Sequence, residues 1–235
     1  MNALHIAVIP ARKGSKRLPN KNIKLLCGKP LINWTIDAAI ASKVFDLVLV
    51  TTDSAEIAAL ARAAGASVPF CRPAELATDT ASTNDVVSHT VAWVEAHLGD
   101  VAHVTLLQPT SPLRRASDIS RAMALYDARQ ASAVVSVCPT EHPIQFCNTL
   151  AVDLNMAGFI RATDNKRTQE LEPTYRLNGA IYTFCREYVG NLSGIYTANT
   201  FAYVMKSERS IDIDQPLDFI IAEAILSQHQ RKERV

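Results

Sequence analysis

The sequence predicts an α/β fold built on a parallel, doubly wound sheet. Three observations carry this: short, nearly continuous apolar runs of strand length, segments of helical periodicity between them, and a regular alternation of the two along the first 137 residues. The run at 5–11 (HIAVIPA) is β-branched and unbroken, as a strand buried on both faces must be. A helix is expected over 31–41 (LINWTIDAAIA), then a second buried strand at 47–50 (LVLV) that ends in Thr51-Thr52-Asp53. Residues 55–64 (AEIAALARAA) are strong helix formers closed by Gly65, and 67–70 fit a short third strand. A helix at 84–97, a strand at 101–107 (VAHVTLL), a helix at 117–126 with Ser117 as its cap and a strand at 133–137 (AVVSV) continue the alternation. After Cys138 the periodicity breaks, and 139–175 reads as loops or a hairpin over the sheet. Strands return at 180–184 and 201–205, and 216–228 reads as a C-terminal amphipathic helix with Pro216 near its first turn. With no repeat or low-complexity linker, one domain over 1–235 with an excursion at 139–175 is the simplest organisation.

The 235 residues are 48% hydrophobic and 20% charged, ordinary globular usage that excludes disordered and fibrous classes. The 24 basic and 23 acidic residues leave a net charge of +1, which argues against nucleic acid as a partner. Strong charge must therefore be local. The N-terminus lacks the apolar run of a secretion signal and no stretch reaches membrane-spanning length, so a cytoplasmic protein without membrane association is expected. Five scattered cysteines without a CxxC pair read as buried free thiols.

In an open α/β sheet the chemistry lies beyond the carboxyl ends of the strands. The first strand delivers ARKGSKRLPNKN there, with Arg12, Lys13, Lys16, Arg17 and Lys21 close together and Gly14 permitting backbone approach. That cluster suits a polyphosphate, though it matches neither GxGxxG nor the P-loop. Ser210-Ile211-Asp212-Ile213-Asp214 puts two carboxylates on one side of an extended segment, where Asp212 and Asp214 can hold Mg²⁺. The structural alternative is that Asp214 caps the following helix and Asp212 is merely exposed. Thr51-Thr52-Asp53, Gln108 and Asn178 are weaker candidates of the same kind, the first divided between helix capping and ligand contact.

Seven ordered stretches then resemble one family, the CMP-acylneuraminate synthetases that activate sialic and related nine-carbon keto-sugar acids: IAVIPARKGSKRLPNKN at 6–22, GKPLINWTI at 28–36, VTTDS at 50–54, RPAELATDTAS at 72–82, LLQPTSPLR at 106–114, RLNGAIY at 176–182 and SIDID at 210–214. The resemblance implies a Rossmann-like, mostly parallel sheet of the nucleotide-diphospho-sugar transferase type with a dimerisation excursion. It implies transfer of CMP from CTP to the anomeric hydroxyl of N-acetylneuraminate or a close relative, with pyrophosphate released. By the same similarity Arg12, Lys16, Lys21 and Asn22 meet the nucleotide's phosphates and ribose, and Arg72, Ala81 and Thr83 surround its base and ribose. Gln108, Arg167, Arg176 and Tyr182 face the sugar acid, and Asp212 and Asp214 bind Mg²⁺, with Mn²⁺ as the substitute. Arg12, Lys21 and Asp214 are the implied catalytic residues, and a homodimer is the implied assembly, with Tyr196, Phe201 and the excursion as places where a partner meets the sugar. Legionaminate, pseudaminate and 3-deoxy-octulosonate are alternative sugars. A non-catalytic nucleotide-binding regulator is the alternative from another class, disfavoured by paired carboxylates beside a basic loop.

Overall fold

A computed structural model of the chain describes residues 3–14 and 17–233. Strand β1 (Leu4–Pro10) shows why its sequence lacks alternation. Ile6 and Val8 enter one core while Ala7 and Ile9 enter the core on the opposite face. With both faces covered, every position must be apolar. A hairpin of β2 (Leu25–Leu26) and β3 (Lys29–Pro30) follows the basic loop, turning through Cys27 at φ 49° and Gly28 at φ 78°. Two adjacent left-handed residues are what a two-residue hairpin turn requires. Helix α1 (Leu31–Ser42) then leads to β4 (Leu47–Thr51). Helix α2 (Ala55–Ala63) starts at Ser54, whose Oγ accepts from the Ile57 N–H at 3.4 Å.

The third strand expected at 67–70 does not form. Only Ser67 bridges to Leu49 before the chain turns away. Helix α3 (Thr83–His97) is capped by Ser82, which accepts from the Asp85 N–H at 3.1 Å. Strand β5 (Val101–Leu106) is followed by α4 (Ala116–Arg129), which begins earlier than expected. Its cap position is Arg115 rather than Ser117, because the Asp118 carboxylate reaches back to the Arg115 N–H at 3.0 Å.

Strands β6 (Ala133–Pro139) and β7 (Tyr175–Cys185) flank the excursion, β8 (Thr200–Val204) follows, and α5 (Pro216–Glu233) closes the chain. The sheet order is β4-β1-β5-β7-β6-β8. All pairings are parallel except those of β7, which runs against both β5 and β6. The reversal matters for function, because the start of β7 and not its end now lies at the carboxyl edge of the other strands. The pairing of Pro139 with Tyr175 makes 140–174 the long loop of a β6–β7 hairpin, irregular and largely exposed.

Helices α1, α2 and α4 cover one face of the sheet and α3 the other. A third cluster sits at the carboxyl edge, where Phe219, Ala222 and Leu226 of α5 pack on Leu26, Leu31 and Ile213. It fastens the hairpin and the acidic segment to each other. The cysteines are free thiols, but only Cys138 is buried, and Cys71 and Cys147 are exposed. Among the described residues no helix is long and apolar enough to cross a membrane.

Candidate active site

The basic loop after β1 is shaped by backbone and carboxylate contacts. The Lys13 N–H donates to Asp53 Oδ1 at 2.8 Å, and Asn22 Nδ2 donates to the Arg12 carbonyl at 3.0 Å. Asp53 of the VTTDS stretch thus does not cap α2, a task that falls to Ser54; it folds the loop. Lys21 Nζ donates to the Ile213 carbonyl at 2.5 Å and to Asp214 Oδ1 at 3.0 Å, with only 11% of its side chain exposed. Arg17 approaches the other oxygen of Asp214 at 3.4 Å, and Arg12 forms an ion pair with Asp79 at 2.7 Å. Lys16 lies outside the described residues.

These groups border a cleft of about 510 Å³, within the size range of small-molecule sites. Arg12, Lys21, Asn22 and Asp214 line it. Arg72, Ala81, Thr83 and Gln108 line it as well. Arg72 is 5% exposed and its guanidinium is largely committed: Nε donates to Thr51 Oγ1 at 3.2 Å and Nη2 to the Thr51 carbonyl. Burial, reinforced by Arg12 and opposed by Asp53, pulls its pKa down to about 10, so it stays charged at neutral pH. It is a brace for the cleft wall more than a free donor.

The acidic segment reaches the cleft through a buried relay. Asn178 Nδ2 donates to Ser210 Oγ at 2.9 Å, the Ser136 hydroxyl donates to Asn178 Oδ1 at 2.6 Å, and the Ile213 N–H donates to the Thr110 carbonyl at 2.8 Å. The expectation that Asp214 caps the last helix fails. Asp218 performs that task, accepting from the Asp214 and Gln215 N–H groups at 2.9 and 2.8 Å. The Asp214 carboxylate therefore faces Lys21 and Arg17. Asp212 is not exposed either: its Oδ1 is buried without a partner, and desolvation raises its pKa against a hydrogen bond from Thr110. Gly179, at φ 73°, leaves room beside it; a Cβ there would meet Gln108 Oε1 at 3.0 Å and Asp212 Oδ2 at 3.6 Å.

An orphaned buried carboxylate oxygen and a second carboxylate held by cations fit a divalent metal that takes its remaining ligands from phosphate and water. Among the described residues no cluster of three or more His, Cys, Asp or Glu side chains could hold such an ion by itself.

A smaller hollow of about 170 Å³ adjoins the cleft and shares Gln108 and Thr83 with it. Its other walls include Leu106, Tyr182, Leu192, Ile195 and Tyr196. Burial beside Tyr196 and Asp212 pushes the Tyr182 phenol up to about 12, leaving it a neutral donor. Arg167 and Arg176 line neither cavity. Arg176 pairs with Cys138 at the base of the excursion and lies 3.9 Å from Glu141, while Arg167 caps an exposed turn within it. Phe201 also stands apart, at the start of β8 on the opposite edge, under the Arg129 guanidinium.

Against this geometry, a cytidylyltransferase family model matches residues 6–223. The chain belongs to that family. It is 39% identical over 230 residues to the CMP-N,N'-diacetyllegionaminic acid synthase of Legionella pneumophila, spanning 96% of this chain and 97% of that one. It is 37% identical to the N-acylneuraminate cytidylyltransferase of Escherichia coli O18:K1:H7, over 97% of this chain and 53% of the relative. The chain thus spans about half the length of that relative. A pseudaminic acid cytidylyltransferase of Campylobacter jejuni is 31% identical over 92% of the chain and 94% of its own length. In fold, the chain superposes on a CMP:2-keto-3-deoxy-manno-octonic acid synthetase with a TM-score of 0.71 at 20% identity, covering 97% of this chain and 100% of the other.

Several residues that brace this cleft carry no sequence assignment. Arg114 is 2% exposed and donates to the Ala180 and Gln108 carbonyls at 2.9 and 2.7 Å, holding the turn after β5 against β7; burial lowers its pKa to about 9. Asp118, fully buried, accepts a fork from Arg209 at 3.0 and 2.9 Å and a hydrogen bond from Tyr203 at 3.1 Å. This pair ties the start of α4 to the residue just before SIDID. The available signal was a charged residue beside a Pro-rich turn, which by itself reads as surface.

Proposed function

We propose that this chain transfers CMP from CTP to the anomeric hydroxyl of a nine-carbon keto-sugar acid, releasing pyrophosphate. The observation that carries the reading is one cleft bordered by Arg12, Lys21, Asn22 and Asp214, sharing Gln108 and Thr83 with an apolar hollow, while Asp212, its Oδ1 buried, lies by Gln108 beside Gly179. The triphosphate lies in the basic half, and the base stands against Arg72, Ala81 and Thr83. The sugar's hydroxyl oxygen bonds to the α-phosphorus in line as the bond from that phosphorus to the β-phosphate oxygen breaks. The protein's part is positioning and charge neutralisation, with no covalent enzyme intermediate. Arg12 and Lys21 hold the phosphates, and Gln108 and Tyr182 orient the sugar. Asp212 and Asp214 hold Mg²⁺, which when bound supplies neutralisation of phosphate charge.

Among sugars, N,N'-diacetyllegionaminate is placed ahead of N-acetylneuraminate. The relative named for the diacetylated sugar matches along nearly its whole length, and an apolar hollow suits an acylamino substituent better than a polyol. The acting form is a homodimer in the cytoplasm, in which the excursion of one chain brings Arg167 to the sugar of its partner. Exposed apolar residues on the excursion, among them Ile144, Leu150 and Leu154, support the dimer, and the position of Arg167 outside both cavities leaves it free for a partner's site. Pyrophosphate release from CTP with a panel of N,N'-diacetyllegionaminate, N-acetylneuraminate, pseudaminate and 3-deoxy-octulosonate tests the reading. The highest kcat/KM is expected with the diacetylated sugar. No release with any of them overturns the transferase assignment in favour of a nucleotide-binding regulator.

A further inference from the structure

Helix α3 begins at the partition between the two cavities, with Thr83 lining both. The next residue, Asn84, lines neither and spends its amide on a stretch more than a hundred residues away. Its Nδ2 donates to the Gly190 carbonyl at 2.9 Å, and its Oδ1 accepts from the Leu192 N–H at 3.1 Å. The neighbouring backbone bonds of that stretch are local turns, such as Asn191 N–H to the Tyr188 carbonyl and Gly194 N–H to the Asn191 carbonyl. Local turns curl a loop but do not dock it; Ile195, buried in the core with Leu192 packed beside it, anchors its far part, and Asn84 fixes its near end. The docked stretch is the one that delivers Leu192, Ile195 and Tyr196 to the apolar hollow opposite Tyr182. A carboxamide carries the donor and the acceptor needed to read one carbonyl and one N–H together, which a hydroxyl or a carboxylate cannot do in this arrangement.

We propose that Asn84 is a positioning residue for the sugar half of the site: it docks the 190–196 stretch, and so sets the width of the hollow that receives the sugar's acyl substituent. The proposal rests on the assignment of the two cavities to nucleotide and sugar made above. Its consequence is asymmetric. The sugar contacts a wall that Asn84 holds from behind, while the nucleotide contacts the basic loop and the Arg72 wall, to which the Asn84 side chain makes no hydrogen bond.

The test uses the full chain with Asn84→Ala and Asn84→Asp. The second is isosteric, removes the donor to Gly190 and places an acid in the first turn of α3, where the helix dipole favours it, so folding is preserved. With CTP and N,N'-diacetyllegionaminate, both variants are expected to raise the sugar KM about tenfold, the scale of one or two lost hydrogen bonds, with the CTP KM unchanged within about twofold. Hydrogen exchange at the Leu192 amide should accelerate in Asn84→Ala, whatever the substrate. An equal rise in both KM values, or a faster-exchanging Leu192 amide with an unchanged sugar KM, overturns the positioning role. A wild-type chain that binds CTP but transfers CMP to none of the sugars sinks the assignment of the site itself, and this proposal with it.

Discussion

Three described cations of the cleft rest on carboxylates, Arg12 on Asp79 at 2.7 Å and Lys21 and Arg17 on Asp214 at 3.0 and 3.4 Å, and the first two mark the extremes. The two are not equivalent. Arg12 and Asp79 are each about a third or more exposed, so their pairing is weakened by water and is readily exchanged for a phosphate. Lys21 is nearly buried and has a second acceptor in the Ile213 carbonyl, so it is fixed in place before any ligand arrives. Arg12 is therefore the donor whose contact is made only when phosphate is present. Arg12→Ala is expected to lower turnover by roughly ten- to a thousandfold, the range for one stabilising donor, with the fold intact by circular dichroism. Near-normal turnover would remove Arg12 from the phosphate site.

The elements best legible in the sequence are those whose neighbours are all apolar. Strands β1 and β4 were legible because burial on both faces demands unbroken runs such as LVLV. The start of β7 was not, because Tyr175, Arg176 and Leu177 pair with β6 but are all exposed and carry no period. The basic loop was legible because its charges are adjacent in sequence and follow a buried strand. Asn84, Arg114 and Asp118 were not, since each has a partner 66 to 108 residues away and by itself looks like an ordinary surface polar residue. The SIDID segment stands between these cases. Its carboxylates were readable, but their different surroundings depend on how Ser210, Ile213 and Arg209 are anchored. That anchoring uses backbone and neighbouring side chains, so Asp212→Asn together with Asp214→Asn should leave the segment folded. The double variant is expected to lose Mn²⁺ binding in a direct titration and roughly a hundredfold or more of Mg²⁺-dependent activity. An unchanged metal titration would refute the carboxylate site.

At the scale of the whole molecule, the edge of the sheet opposite the cleft carries its own polar cluster, and it makes stability depend on pH. His5 of β1 is 8% exposed, with Nδ1 2.9 Å from the Val44 carbonyl and Nε2 2.9 Å from Thr105 Oγ1. A carbonyl only accepts, so Nδ1 carries the proton and Nε2 accepts from Thr105, which in turn accepts from Thr183 across the β5–β7 pairing. The ring is neutral when folded. Burial, together with His103 at a centroid distance of 5.8 Å, lowers its pKa to about 4, outweighing the Val44 carbonyl and Asp46, which act in the opposite direction. His103 is lowered as well, by burial against the pull of Asp127. The unfolded chain takes up a proton on His5 near pH 6.5, whereas the folded chain resists until about 4. Between those values the unfolded state binds more protons, so the contribution is fully present above 6.5 and is lost as pH falls towards 4. From pH 7 to pH 5 the depressed pKa amounts to about 2 kcal/mol of lost stability. Urea unfolding at the two pH values should show the wild-type chain losing about that much more than His5→Gln, since the acidic side chains titrate alike in both. Equal losses would assign the acid sensitivity to the carboxylates and leave His5 a neutral polar link between β1 and β5.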